Sequence, residues 1–409
     1  MIPKDWEKKP ISEFGQIQGG RQRSPKAKGK LRQYLRVANV FDGYIDTSDV
    51  LEMPFTDAEH LRFRLRTGDI LLNEGQSLEL VGRPAMYKGK PPDCCYQNTL
   101  IRFRPGHHID GNFALKVFQY CHHTGKFSAI ASRTTSIAHL GVERFAGLPI
   151  PVPKSIAEQQ KITEAIDYWD RALSITERLI AAKLKQRKGL MQELLTGKRR
   201  FPRFSEPWRE VHLGAVTTES LDRNSGRLGR ESVRAVTNSA GMIPMRAQTI
   251  AGVLDRYMVV EPRAFAYNPM RINVGSLCKW PGDEPCLVSP DYVVFNCKAG
   301  ELDADYFDYL RHTHRWDHSM QAAGNGSVRV RIYYDDLASL RYVIPPLPEQ
   351  VRISTFLRSL DRELSLLRAQ LAALKTQKRG LMQQLLTGRV RVCLPAVSQA
   401  ALACPEEPA

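Results

Sequence analysis

From Ile353 onward the apolar positions advance by four and three residues in turn. They fall at Ile353, Leu357, Leu360, Leu364, Leu367, Leu371 and Leu374; Lys378 interrupts, and Leu381 and Leu385 resume. A stripe this narrow and regular predicts a long helix with a coiled-coil seam. A second ladder stands 191 positions earlier: Ile162, Ile166, Trp169, Leu173, Thr176, Ile180, Lys183, Arg187, Leu190 and Leu194. One seam is close to ideal, and the other is broken by basic residues towards its end. Each helix is expected to pack on the other, with the basic middle turned elsewhere. The plainer alternative, a helix covering only its own domain's core, calls for a wider apolar face.

The similarity between the ladders extends to whole segments. "GLMQELLTGKRRF" (189–201) and "GLMQQLLTGRVRV" (380–392) share most of their residues, and the match runs without a gap from Ile156 to Arg200. Glu158-Gln159 meets Glu349-Gln350, and Asp170-Arg171 meets Asp361-Arg362. This is internal duplication. Ser155 with Glu158 forms a capping box for the first helix. Pro348 suits the first turn of the second. Gly197 and Gly388 stand where a left-handed cap wants glycine. Helices are therefore predicted over 155–197 and 347–388, the first about 58 Å long between Glu158 and Thr196 at about 1.5 Å per residue. Gly189 and Gly380 sit inside the pattern against propensity, either for a close backbone approach or at a kink.

The helices separate two further blocks, 1–154 and 208–346, joined by a linker at 198–207. Both blocks carry short β-like runs punctuated by Gly and Pro: "LRVANV", "GDILLNEG" and "NTLIRFRPG" in the first, "RYMVVEPRAFAYN" and "SPDYVVFNC" in the second. Helices are predicted near Phe113–His122 and Asp303–His314. The predicted fold class is α+β: two β-rich domains separated by two long helices that pair as an antiparallel coiled coil. Residues 393–409 are expected to be disordered. The blocks echo each other weakly. Trp6 and Trp208 open them, and at that spacing Arg21 meets Arg223, Lys28 meets Arg230 and Arg32 meets Arg234.

Composition adds a direction. A hydrophobic content of 43% with 25% charged residues fits a globular chain, and no apolar run is long enough to span a membrane. The opening "MIPKDWEKKP" has no signal-peptide core, and the eight cysteines form no CxxC pair, so a reducing cytoplasm is expected. The net charge of +16 favours a polyanionic partner, and nucleic acid suits it better than lipid because no anchor signal is present.

Catalytic chemistry does not emerge. "YNPM" (267–270) lacks the second proline and the aromatic of an adenine-methylating motif and reads as a turn after a strand. "GNG" (324–326) is too short for a cofactor loop, and no GxxxxGK exists. "CHH" (121–123) and His312, His314 and His318 are weak metal candidates, and no metal is assigned. What remains is basic and polar loop material suited to phosphates and base edges. The candidates are Arg21, Arg23, Lys26, Lys28, Lys30 and Arg32, with Arg133, Thr134 and Thr135 in "SRTTS". In the second block they are Arg223, Arg227, Arg230 and Arg234, with Asn325, Arg329 and Arg331 in "NGSVRVR". A charge run is usually a solvated face; matched placement in both blocks raises its weight.

"IPPLPEQVRI" (344–353), a heptad helix and a terminal "LLTG", present twice behind two variable blocks, closely resemble the specificity subunit of type I restriction–modification systems. The first copy, "IPVPKSIAEQQKI" (150–162), departs from the Pro-Leu-Pro-Glu-Gln form but keeps Glu158-Gln159. The resemblance implies two target recognition domains, each reading half of a split double-stranded DNA site, with the paired helices as spacer. It implies two modification subunits that carry S-adenosylmethionine and methylate adenine. It also implies two restriction subunits with ATP- and Mg2+-dependent activities. It implies no catalytic centre and no cofactor on this chain. Two alternatives stay open from the residues alone: a coiled-coil scaffold for RNA or an acidic partner, and a self-contained DNA-modifying enzyme.

Overall fold

The computed structural model describes residues 2–24, 27–134, 136–238, 240–323 and 331–392; the predicted tail at 393–409 lies outside them. The two long helices run Ile156–Leu195 and Leu347–Leu386. The chain forms two compact units, Met1–Glu177 with Gln370–Ala409, and Arg178–Ala369. Each unit thus combines one β-rich block with the head of one long helix and the tail of the other.

In the first unit a four-stranded antiparallel sheet is ordered Gly15–Gly19, Leu100–Pro105, Ile70–Asn73, Pro84–Met86. In the second the order is Thr217–Ser220, Val293–Cys297, Phe265–Tyr267, Leu277–Lys279, with the same antiparallel pairings. Both sheets are covered on both faces, which explains why "ILLN" is apolar without alternation. Ile70 and Leu72 face the helical side with Phe103 and Phe113, while Leu71 faces a second small sheet with Leu35 and Tyr96. Phe265 and Tyr267 pack likewise with Phe295 and Phe307, and Ala266 packs with Met258 and Val288. Each block is closed by its first and last strands, Trp6–Pro10 on Pro149–Pro153 and Arg209–His212 on Arg341–Ile344.

The block helices differ from expectation in one place. Gly111–His123 is a single helix capped by Asp110. Its counterpart Ala304–Leu310, capped by Asp303, ends early, and a new helix begins at His314. Thr313 causes the break: its hydroxyl donates to the Leu310 carbonyl at 2.7 Å and accepts from Trp316 N at 3.4 Å, capping the next helix.

The repeated Glu-Gln pair docks each long helix onto its block. Gln159 accepts from Asp110 N at 2.6 Å and donates to the carbonyls of His108 and Pro153 at 3.1 and 2.8 Å. Gln350 repeats this with Asp303 N at 2.8 Å and the carbonyls of Glu301 and Pro345 at 3.1 and 2.9 Å. The capping box is only half made. Glu158 N reaches the Ser155 hydroxyl at 3.4 Å, but the Glu158 carboxylate is committed elsewhere. It accepts from the Trp6 indole at 3.3 Å and from Arg391 at 2.6 and 2.8 Å. Glu349 accepts from Trp208 at 3.1 Å and from Arg200 at 2.9 and 2.7 Å. The tail of each helix therefore clasps the head of the other. Gly197 and Gly388 turn the chain there with φ of 71° and 72°, each against the opening tryptophan of the block it meets.

The helices are antiparallel neighbours within each unit. Every seam position named above is buried or half-buried. In the first unit Ile162, Ile166, Met382, Leu385 and Leu386 share the core of the first block. In the second, Leu194, Leu195, Ile353 and Leu357 share that of the second block. The seam's basic positions face the partner helix, not something else. Lys378 lies 2.5 Å from Asp170, Lys183 lies 2.7 Å from Glu363, and Arg187 pairs with Asp361. Gly189 and Gly380 face open space inside unbroken helix, so neither makes a close approach to another described residue.

Candidate nucleic-acid interface

One edge of each four-stranded sheet gathers the loops. In the first block the chain leaves Gly19 and Asn73 and enters Leu100 at the same edge. The hairpin Ser132–Arg133/Ala138–His139 is added there through Gly75–Gln76. In the second block the register makes Ser220 the counterpart of Gln18, and Asn268 that of Asn73. Arg21 and Arg223 therefore stand at equivalent places, three residues beyond the matched strand position. Leu140 N donates to the Glu74 carbonyl at 2.8 Å, and Ile332 N to the Pro269 carbonyl at 3.1 Å, so Leu140 and Ile332 correspond, and with them the preceding residues His139 and Arg331.

The described candidate residues separate into exposed and committed groups. Arg23, Lys28, Arg133 and Thr134 are exposed, and Lys30 is exposed 3.9 Å from Asp57. Thr134 donates to the Ile137 carbonyl at 3.0 Å and stiffens the hairpin tip. Arg21 is committed: its Nε lies 2.7 Å from Glu59 and its guanidinium 5.0 Å over the Phe55 ring. The pairing also holds the Glu59 carboxyl below its usual pKa. Arg32 is 2.7 Å from Asp93.

In the second block Arg227 lies 2.6 Å from Asp222, and Arg230 donates to the carbonyls of Ala247, Ile250 and Ala251. Arg234 lies 5.4 Å over Trp280 and donates to the Glu231 carbonyl at 2.6 Å. These three brace loops rather than project from them. Arg223 and Arg331 instead line a common cleft of about 460 Å³, with Glu219, Asn268, Met270, Asp291 and Tyr333. Burial, with the nearby Asp335 charge, raises the Glu219 carboxyl above its usual pKa. Lys26, Thr135, Asn325 and Arg329 lie outside the described residues.

Arg62 was not a sequence candidate, yet it is exposed and lines a first-block cleft of about 490 Å³ with Arg21, Gln22, Ser24 and Glu59. The basic run "LRFRLR" (61–66) was its signal. Met270 and Tyr333, 52% and 51% exposed at the second cleft, had none.

The weak metal candidates scatter. Cys121 is buried in the core with its thiol pushed up to about 12, His122 contacts the Val81 carbonyl, and His123 contacts Asp42. Among the described residues no group of three His, Cys, Asp or Glu side chains could hold a metal ion. In "YNPM" Tyr267 ends the strand Phe265–Tyr267 and the next three residues turn, with the Asn268 side chain accepting from Met270 N at 2.9 Å. Among the described residues no helix is long and apolar enough to cross a membrane.

Two sister α+β blocks, each presenting a loop edge and each gripped by both members of a duplicated helix pair, define a two-headed recognition chain. The family described as "Type I restriction modification DNA specificity domain" matches residues 3–186 and 281–376, and the chain belongs to it. It is a specificity subunit, the non-catalytic kind of chain in such systems. Two curated relatives come from Methanocaldococcus jannaschii. The putative type I restriction enzyme MjaX specificity subunit is 23% identical over 96% of this chain and 95% of its own length. The type I restriction enzyme MjaVIII specificity subunit is 22% identical over 96% and 94%.

Solved structures share the fold. A chain from a study of complex assembly and conformational transition of the type I R-M system gives a TM-score of 0.62 at 18% identity, covering 95% of this chain and all of that one. The HsdS subunit of Thermoanaerobacter tengcongensis gives 0.56 at 17% identity, over 95% and 98%. The S subunit from M. genitalium gives 0.52 at 15%, over 94% and 96%.

Proposed function

We propose that this chain is the DNA-reading subunit of a cytoplasmic type I complex, and that its two blocks read the two halves of a split, asymmetric duplex site. The observation that carries this reading is the pair of equivalent loop edges, built on one sheet topology but furnished with different side chains. Arg21 and Arg223 each line a cleft, but Arg21 is neutralised by Glu59 where Arg223 is held by the Arg256 carbonyl, and His139 stands where Arg331 does. Equivalent placement suits one kind of ligand; different side chains suit different base sequences. The paired helices set the distance between the half-sites. The blocks are 1–154 and 208–346, and the helical segments between and after them, 155–197 and 347–388, contain the helices Ile156–Leu195 and Leu347–Leu386.

Two modification subunits bring S-adenosylmethionine to the complex and methylate adenine. Two restriction subunits bring ATP- and Mg2+-dependent translocation and cleavage. This chain binds none of these cofactors and supplies exposed cations such as Arg23, Lys28 and Arg133 for the DNA backbone. The test is adenine-methylation mapping of the host genome with and without this chain. One gapped motif that vanishes on deletion, with unequal halves, is expected. Methylation unchanged by deletion refutes the reading, as does turnover on DNA by the purified chain alone.

A further inference from the structure

We propose that Arg331, with Arg223 in the same cleft, reads a G·C pair in the half-site of the second block, and that the equivalent places in the first block do not read a base this way. The inference rests on the DNA-reading role and names the chemistry one cleft recognises.

The two blocks differ at both matched positions. In the first, Arg21 is tied to Glu59 at 2.7 Å, and His139, the counterpart of Arg331, lies 3.1 Å from Glu74. Among the described residues neither Arg223 nor Arg331 forms a salt bridge. Arg223 donates one N–H to the Arg256 carbonyl at 2.7 Å, which orients its guanidinium without cancelling its charge. Arg331 is exposed, and both side chains line the same cleft of about 460 Å³.

The acids in that cleft decide what it takes. Glu219 and Asp291 also line it. Carboxylates repel a phosphate, so a mixed lining is poor for backbone contact. A base-pair edge suits it. Guanine presents two acceptors, O6 and N7, to an arginine fork, and the paired cytosine presents an amino donor to a carboxylate. Arg23 and Lys28, exposed in the first block, are cations suited to phosphate contacts instead.

Methylation mapping of the complete complex carrying Arg331→Ala or Arg331→Lys tests this. Lysine keeps the charge but loses the fork. Both variants are expected to relax one G·C position in one half of the motif, with discrimination there falling roughly 5- to 150-fold. The other half should stay intact, which shows that the complex is folded. Arg133→Ala should leave the position read by Arg331 untouched. In binding assays with motif duplexes, 7-deazaguanine at that position should weaken the wild-type complex and cause no further loss in Arg331→Ala. Full rescue by lysine overturns the proposal, as does uniform loss of methylation with an unaltered motif; both would make Arg331 a phosphate contact. In either case the wild-type motif would still depend on this chain, so the DNA-reading role would stand apart from this failure.

Discussion

Arg391 reaches back 233 residues to place its guanidinium on the Glu158 carboxylate, at 2.6 and 2.8 Å. The same side chain also binds Asp5 near the start of the chain, at 2.9 and 2.6 Å. Glu158 is 2% exposed at its side chain, so it depends on this cation and on the Trp6 indole. The duplicated "LLTG" ends are therefore fasteners, each carrying an arginine three residues beyond its glycine. Arg391→Glu sets a third carboxylate against two others. It should lower the thermal midpoint by more than loss of an exposed pair such as Lys161–Glu164, which is worth about 0.2–1 kcal/mol. Arg391→Lys should fall between, because it keeps charge but not the two-pronged geometry. Calorimetry on the two variants checks the order; equal midpoints for wild type and Arg391→Glu would remove the clasp from the fold's energetics.

The seam offers a second measurement. Leu357 is fully buried among the second-block core, while Leu366, also on the second long helix, is 63% exposed. Leu357→Ala should cost about 2–5 kcal/mol through lost burial and the cavity left behind. Leu366→Ala should be close to neutral, within about 0.5 kcal/mol. Urea unfolding of both, compared at equal slope, gives the difference.

Acid should undo one polar lock of the first unit. Burial alone would raise the Asp170 carboxyl, but hydrogen bonds from Lys116 and Lys378 outweigh it and leave the pKa below normal. A depressed carboxyl contributes stability that is complete above its unfolded value of about 3.9 and is lost as pH falls through the lower folded value. Asp170→Asn should therefore be less stable than wild type at pH 7. The gap should close as pH drops below about 4. Denaturant melts at pH 7, 5 and 3 would show it, and a gap independent of pH would assign the loss to packing.

The helices were legible because periodicity is local: a seven-residue rhythm can be counted without knowing the partner. The partners were not. Lys378 looked like an interruption, but the acid that accepts it, Asp170, lies far away in the sequence, and only the antiparallel register brings them to 2.5 Å. The capping box at Ser155 was half right because Glu158 had a stronger suitor in Arg391. Basic loops were found by charge, but charge says nothing of commitment. Arg21 is cancelled by Glu59, and Arg230 is spent on carbonyls, while Arg62 went unnoticed in an overt run. Thr313 ended a helix through a side-chain bond that propensity does not register.

Salt dependence separates backbone contacts from the rest. Arg23 and Lys28 are exposed on the loop that follows the first strand of the first-block sheet. If each neutralises one phosphate, Arg23→Ala and Lys28→Ala should each reduce the slope of log affinity against log salt by about 0.9 and weaken all duplexes alike. Arg227→Ala should change the slope little, because Asp222 already neutralises it at 2.6 Å. Titrations of the complex from low to physiological salt, with motif and scrambled duplexes, read both quantities.

The spacing role makes a prediction about length. Seven residues added to each long helix at matched positions, after Glu177 and after Arg368, preserve the seam because they complete one heptad. They lengthen each rod by about 10 Å at about 1.5 Å per residue. Ten base pairs of duplex span about 34 Å, so the gap in the methylated motif should grow by about three base pairs. Both half-sites should keep their sequences, since neither loop edge is touched. An insertion in one helix alone lets at most one tail arginine keep its glutamate and should destabilise the chain without defining a new gap. Methylation mapping of the double insertion decides the matter: an unchanged gap in an active complex would mean that the helices do not measure the distance.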